Sequence, residues 1–269
     1  MRAAGEGICD CSVGSLSAAE RLRYARQIVI PGVGVEGQLA LKAARVLIVG
    51  LGGLGSPLAY YLAAAGVGSL TLVEDDLLEE HNLQRQILYD QQGLGQTKAT
   101  LAKARLQELN PYIQVTTVAG RFTAENAATL CSGHHLICAC VDNRTTRFQI
   151  NAACRKLGLP WIDAAVIRDQ GTVMTYLPHG GPCYACLHAE SESSEVDPAT
   201  LGVWGAAAGV VGSLQAMEAI KILVGQPEEL IVGRMLWCDL RQMQFESVVI
   251  APREDCPCCG LVGDRTAKG

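Results

Sequence analysis

The chain has 269 residues, 49% of them hydrophobic and 18% charged, which suffices for one sizeable core or one domain with an appended subdomain. A formal net charge of −5 offers no broad basic field for nucleic acid or an anionic membrane. No apolar run reaches the roughly 18 residues of a membrane span. The first fifteen residues lack the apolar stretch of a secretory signal, so a cytosolic location is expected. Twelve cysteines in a reducing compartment point to metal or catalysis before disulfides.

In chain order, residues 1–15 read as a disordered tail carrying Cys9 and Cys11. Ser17-x-x-Glu20 is a capping box that opens a predicted helix, AAERLRYARQI. The run VLIV (46–49) then leads into Gly50-x-Gly52-x-x-Gly55 and a helix rich in small residues. This strand–turn–helix pattern sets a phosphate against a helix N-terminus, where free N–H groups and the dipole favour anions. SLTLVEDD (69–76) is the second strand, and Glu74 follows Gly55 by 19 residues, the usual place for an acid that binds ribose hydroxyls. To this point NAD and ATP are served equally.

Past EEHNLQRQ (79–86) come a helix (95–110), a strand (113–119), the apolar strand HLICACV (135–141), a helix from Arg147, and the strand PWIDAAV. Strands alternate with helices over 45–165, which predicts a parallel α/β sheet. QGTVMTYLP, LIVGRMLWCDL and MQFESVVIA read as antiparallel strands. A small-residue helix (205–225) reads as core or subunit interface, and 188–200 as a mobile polar loop. The fold class is therefore α/β: a Rossmann-like, mostly parallel sheet flanked by helices, with C-terminal antiparallel strands and a zinc-knuckle region.

Three groups carry chemistry. Arg85 and Lys98 follow the glycine turn; hydride transfer has no use for them, whereas cleaving a triphosphate needs cations for the charge that develops. Either one alone would read as a solvated face. Asp142 stands at the carboxyl end of a buried strand, where a carboxylate can hold Mg²⁺ or cap the next helix. Cys183-x-x-Cys186 and Cys256-x-x-Cys259 form paired knuckles that read as one structural zinc, with Cys258 as a fifth thiol nearby. Cys131, Cys138, Cys140 and Cys154 read as small core residues, and His134 and His135 as structural.

RYARQIVIPGVGVEGQ, VLIVGLGGLGSPLAYYLAAAGVGSLTLVE, NLQRQ, GQTKA, VDNRTTR, GPCYACL, GSLQAMEAIK and CPCCG occur in one order. In that order the chain resembles the MoeB/ThiF/HesA family, relatives of the ubiquitin-activating enzymes, over about residues 17–260. The resemblance implies a single adenylation domain over 16–269. It implies adenylation of the C-terminal glycine carboxylate of a small ubiquitin-like sulfur carrier ending in Gly-Gly, with Mg·ATP as substrate and pyrophosphate released. The carrier would serve molybdopterin, thiamine or a related pathway, with sulfur from a sulfurtransferase or cysteine desulfurase.

By position the resemblance assigns Gly50, Gly52, Gly53 and Gly55 to the phosphate turn and Glu74 to the ribose. It assigns Asn82, Arg85 and Lys98 to the triphosphate, Gln86 to the nucleotide site and Asp142 to magnesium, with Asp142, Arg26 and Arg85 as the catalytic residues. Cys183, Cys186, Cys256 and Cys259 match the family's zinc ligands. Arg26 matches an arginine that reaches a neighbouring subunit's site, which implies a homodimer. Many members carry a cysteine in the loop after the first knuckle; here none lies between Cys186 and Cys238, and Pro198 falls near that place. Two other readings stay open: a non-catalytic nucleotide-binding dimeric scaffold, and an NAD-dependent oxidoreductase.

Overall fold

β1 (Arg45–Val49) is buried at every position after the first, and it sits inside an eight-stranded sheet. Its alternating side chains explain the unbroken apolar run. Val46 and Ile48 enter the core on one face, and Leu47 and Val49 enter the core on the other. The computed structural model describes residues 14–188 and 201–260. The expected tail with Cys9 and Cys11, and the greater part of the polar loop with Pro198, lie outside the described residues.

The remaining strands are β2 (Ser69–Val73), β3 (Gln114–Val118), β4 (Leu136–Ala139), β5 (Trp161–Ile167), β6 (Gln170–Tyr176), β7 (Arg234–Asp239) and β8 (Gln244–Val249). Their order is β3-β2-β1-β4-β5-β6-β7-β8. The first five are parallel, and each pairing from β5 onward is antiparallel, as the sequence predicts. The order reverses between β1 and β4, which makes the crevice beyond their carboxyl ends the expected ligand position.

Helices α1 (Ala18–Arg23), α2 (Ala25–Ile28) and α3 (Gly34–Ala43) precede the sheet. α4 (Gly55–Ala65), α5 (Lys98–Leu109) and α9 (Gly205–Leu223) cover one face; α6 (Ala124–Cys131), α7 (Arg144–Leu157) and the short α8 (Tyr184–Leu187) cover the other. The single helix expected over 18–28 is broken at Tyr24. That ring is buried, and its hydroxyl accepts from Asn110 Nδ2 at 2.8 Å, so the chain turns there to seat it. The capping box itself is present, with Glu20 N–H donating to Ser17 Oγ.

Among the described residues α9 alone has the length and hydropathy of a membrane span. Its buried polar groups mark it as a core helix instead. Gln215, fully buried, donates to the carbonyls of Ala139 and Ile162 and so ties α9 to β4 and β5. Glu218 accepts from Thr175 Oγ1 and the Ile231 N–H. His134 contacts Thr71 Oγ1, and His135 Nδ1 accepts from the Arg45 N–H, both structural roles.

Candidate active site and thiolate cluster

The glycine turn closes the crevice at the end of β1. Gly50 has φ +92°, and a side chain there would meet the Cys140 carbonyl oxygen at 2.7 Å. A side chain at Gly55 would strike the Gly50 carbonyl. Glycine is therefore required by backbone conformation at the first position and by close approach at the second. α4 starts at Gly55 with no side-chain cap; the Ser56 N–H donates to the Gly52 carbonyl, the Leu58 N–H to the Leu54 carbonyl, and Pro57 has no N–H to offer, so the donors left for an anion are those of the glycine turn itself.

The turn is anchored from both sides. The Leu51 N–H donates to Glu74 Oε2 at 2.8 Å, and the Tyr89 hydroxyl donates to the Leu51 carbonyl at 3.1 Å. Burial pushes the Tyr89 phenol up, which keeps it a donor. Glu74 Oε1 accepts from the N–H groups of Asp75 and Asp76. Glu74 thus fixes the glycine turn and the end of its own strand together. Gln86 is buried beside Gly52, and its Oε1 has no hydrogen-bond partner among the described residues. This buried acceptor next to the glycine turn is a group that a ligand's donor could satisfy.

Charged groups surround this turn. Lys98 begins α5, is only 4% exposed, and its ammonium is held by Asp76 Oδ2 at 2.8 Å. Arg85 donates to the His81 carbonyl at 3.0 Å, and its stem lies against Gly53. Asn82 is buried, with its side-chain oxygen accepting from the Glu79 N–H. Asp142 is exposed, two residues beyond the point where Cys140 meets Gly50. It does not cap α7. That role belongs to Asn143, whose Oδ1 accepts from the Thr146 N–H at 2.9 Å, so the Asp142 carboxylate is left to the crevice.

Arg121 went unnoticed in the sequence reading. It pairs with Asp75 at 2.9 Å, and its guanidinium is held charged by Asp75 first, then by Asp76 and Asp142. Asp75 and Asp76 stand together with Glu74, with carboxylate oxygens within 4.8 Å of one another. No spacing rule connects an arginine past β3 to them; the parallel pairing of β2 and β3 does. Arg26 stands apart. Its neighbour Gln27 donates to the Ala65 carbonyl at the far end of α4, whose 11 residues span about 16 Å. Exposed on α2, Arg26 makes no ion pair among the described residues, and the structure does not bring it to the glycine turn of its own chain.

The four predicted thiols do converge. Cys183, Cys186, Cys256 and Cys259 place their sulfurs within 4.8 Å of one another, with Cys183–Cys256 at 3.6 Å and Cys186–Cys259 at 3.3 Å. Zn–S bonds of about 2.3 Å in a tetrahedron separate the sulfurs by about 3.8 Å, so the donor set and spacing fit zinc. The Arg253 N–H donates to Cys186 Sγ, and Asn151 Nδ2 donates to Cys258 Sγ, which lies outside the group of four. Cys138, Cys140 and Cys238 are buried in β4, after β4 and in β7, and burial raises all three thiols.

A doubly wound sheet with an uncapped glycine turn, flanking cations and an exposed carboxylate at its switch point defines a nucleotide-binding protein. More narrowly, the chain belongs to the ThiF family, whose model matches residues 24–258. It is 43% identical over 249 residues to the molybdopterin-synthase adenylyltransferase of Salmonella typhimurium, covering 91% of this chain and 98% of that one. It is 40% identical over 240 residues to the sulfur carrier protein ThiS adenylyltransferase of Escherichia coli, covering 89% and 95%. The crystal structure of Escherichia coli MccB with ATP superposes with a TM-score of 0.81 at 23% identity, covering 91% of this chain and 75% of that one, a likeness of fold.

Proposed function

We propose that this chain adenylates the C-terminal glycine carboxylate of a small ubiquitin-like sulfur carrier. A carboxylate oxygen attacks the α-phosphorus of ATP, the bond to the β-phosphate oxygen breaks, and pyrophosphate leaves. The observation that supports this reading is the glycine turn at the end of β1, with the Arg85 stem against Gly53 and the backbone two residues before Asp142 against Gly50. The N–H groups of the glycine turn receive phosphate oxygens, and Arg85 and Lys98 meet the charge on the departing pyrophosphate. Lys98 has two further N–H donors besides the one given to Asp76. Asp142, an exposed oxygen donor just past the end of β4, suits Mg²⁺, which when bound would neutralise phosphate charge. Glu74 holds the ribose, and the free Gln86 oxygen and Asn82 line the nucleotide's bed.

The active unit is a homodimer, with Arg26 acting across the interface. Two observations support it. Arg26 lies at the far end of α4 from its own glycine turn. Beside the turn, α4 and α9 present an apolar groove of about 470 Å³ that includes Pro57, Tyr61, Ile87, Val210 and Leu214, with Tyr61 and Ile87 more than half exposed. A second copy covering that face is the arrangement in which Arg26 would act in trans. Four thiolates around zinc leave no open position, so that metal would serve structure. A reducing, cytosolic setting suits the free thiols of the described cysteines. The buried Cys138, Cys140 and Cys238 are poor nucleophiles, so the carrier leaves as an acyl-adenylate and a separate sulfurtransferase or cysteine desulfurase supplies sulfur.

Exchange of labelled pyrophosphate into ATP, run with a carrier ending in Gly-Gly, tests the function. Carrier-dependent exchange is expected. Its absence, or turnover of NAD, would overturn the reading in favour of a scaffold or an oxidoreductase. Intact-mass analysis under non-reducing conditions tests the sulfur step. A thiol-sensitive enzyme–carrier adduct, lost on mutating Cys9, Cys11, Cys238 or Cys258, would overturn that part.

A further inference from the structure

Asp142 lies on a stretch that the sheet does not hold. β4 ends at Ala139, and α7 begins at Arg144. On the far side, Asn143 is fixed by capping α7. On the near side the fixing group is Arg147, one turn into α7. Its Nη2 donates to the Val141 carbonyl at 2.8 Å and to the Ala164 carbonyl at 3.0 Å. Val141 immediately precedes Asp142, and Ala164 is in the middle of β5. One guanidinium thus ties the peptide leading into Asp142 to a strand of the sheet.

The counter-charge comes from the preceding strand residue. Asp163 Oδ1 lies 2.8 Å from Arg147 Nε, with both side chains 11% exposed. Burial pushes the Asp163 carboxyl up, against the pull of Arg147. Burial also works against the Arg147 charge, but Asp163 and then Tyr184 outweigh it, so the guanidinium stays charged. A cation this deep needs a partner, and Asp163 is the carboxylate that faces it.

We propose that Arg147 and Asp163 form a positioning pair for Asp142, with Arg147 holding the Val141 peptide in place and Asp163 holding Arg147. The inference rests on Asp142 being the magnesium ligand of the adenylation site. Neither member of the pair is required to touch substrate. What matters is the planar fork, which lets one nitrogen serve two carbonyls while another faces a carboxylate.

Two variants separate position from charge and from stability. Arg147→Lys keeps the charge and loses the fork. The double variant Arg147→Met with Asp163→Leu replaces the pair by apolar side chains, a change that typically leaves stability intact. In both, carrier-dependent pyrophosphate exchange should fall roughly ten- to hundredfold, the scale of a small misplacement. The Mg²⁺ concentration for half-maximal rate should rise, and the amides of Asp142 and Asn143 should exchange hydrogen faster. A double variant with wild-type unfolding temperature, rate and Mg²⁺ dependence would overturn the proposal. If that variant does not fold, Arg147→Lys decides on the same readouts, and wild-type behaviour overturns it. If instead Asp142→Ala keeps full activity, the reading of the site has failed. Hydrogen exchange at 142–143 then still decides whether Arg147 holds this turn.

Discussion

The glycine-turn site and the thiolate cluster are both made of residues distant in sequence, but they are held by opposite means. Around the turn, each group is held by hydrogen bonds from the surrounding elements: the Leu51 backbone by the Glu74 and Tyr89 side chains, Lys98 by the Asp76 carboxylate, and Arg85 by the His81 carbonyl. Lys98, Asn82 and Gln86 are buried there, while Asp142 is exposed. The four thiols are mutually saturating and mostly buried, and the second knuckle has no strand of its own. One site is organised by the fold; the other organises the fold. Removing a group from the first should cost rate, and from the second stability.

The largest effect is therefore expected at the cluster. Joining the knuckles closes a loop of 69 residues between Cys186 and Cys256 and ties the segment after β8 to α8. Metal analysis should find one zinc per chain, and Cys183→Ser or Cys259→Ser should destabilise the protein by several kcal/mol. Denaturant unfolding with and without a chelator measures this. Unchanged stability and no bound metal would abolish the contrast between the two sites.

The converse case is Asp142→Ala. Exposed and without a capping role, Asp142 has little to contribute to folding. The variant should unfold at the wild-type temperature, while pyrophosphate exchange falls by about a hundredfold or more. A large loss of stability with normal exchange would reverse the assignment.

How much of each site could be read from the sequence follows the same division. The glycine spacing, the apolar run before it and Glu74 are local signals, and each stands where expected. The knuckles announce themselves by residue type. The pairs that join elements left no such trace. Arg147 and Asp163 are 16 positions apart on a helix and a strand, and they meet only because β4 and β5 are neighbours, with Ala139 opposite Asp163. Gln215 looked like one polar residue on a small-residue helix, yet it bridges two strands. The break at Tyr24 was hidden because helical periodicity continues through it, while the cause, Asn110, lies 86 residues away. Asp142 and Asn143 are equally good caps by type, and only geometry separated them.

A smaller effect concerns the arm that carries Arg26. If it works in trans, inactive Arg26→Ala mixed with inactive Asp142→Ala gives dimers in which one site combines intact Arg26 with intact Asp142. Random mixing should restore roughly a quarter of the wild-type rate, since half the dimers are mixed and each has one competent site. Subunit exchange confirmed by mass, with no recovered activity, would show that Arg26 does not cross the interface.

The smallest effect tests how that arm is attached to its own chain. Glu20 on α1 is buried, pairs with Lys42 of α3 at 2.7 Å, and closes the capping box by accepting from the Ser17 N–H. Burial raises its carboxyl, but the Lys42 hydrogen bond, the Ser17 contacts and the Lys42 charge together hold it below its ordinary value of 4.5. A carboxyl lowered on folding stabilises the ionised state, so its contribution is fully present above that ordinary value and is lost as pH falls through the lower, folded one. Glu20→Gln should therefore cost stability at neutral pH, and the difference from wild type should shrink below about pH 4.5, where the unfolded chain takes up the proton first. Ser17→Ala, which removes the other half of the box, should cost about 1 kcal/mol. Unfolding curves at pH 7 and pH 3.5 measure both. A Glu20→Gln deficit that is constant with pH would mean that the arm is held by shape and not by charge.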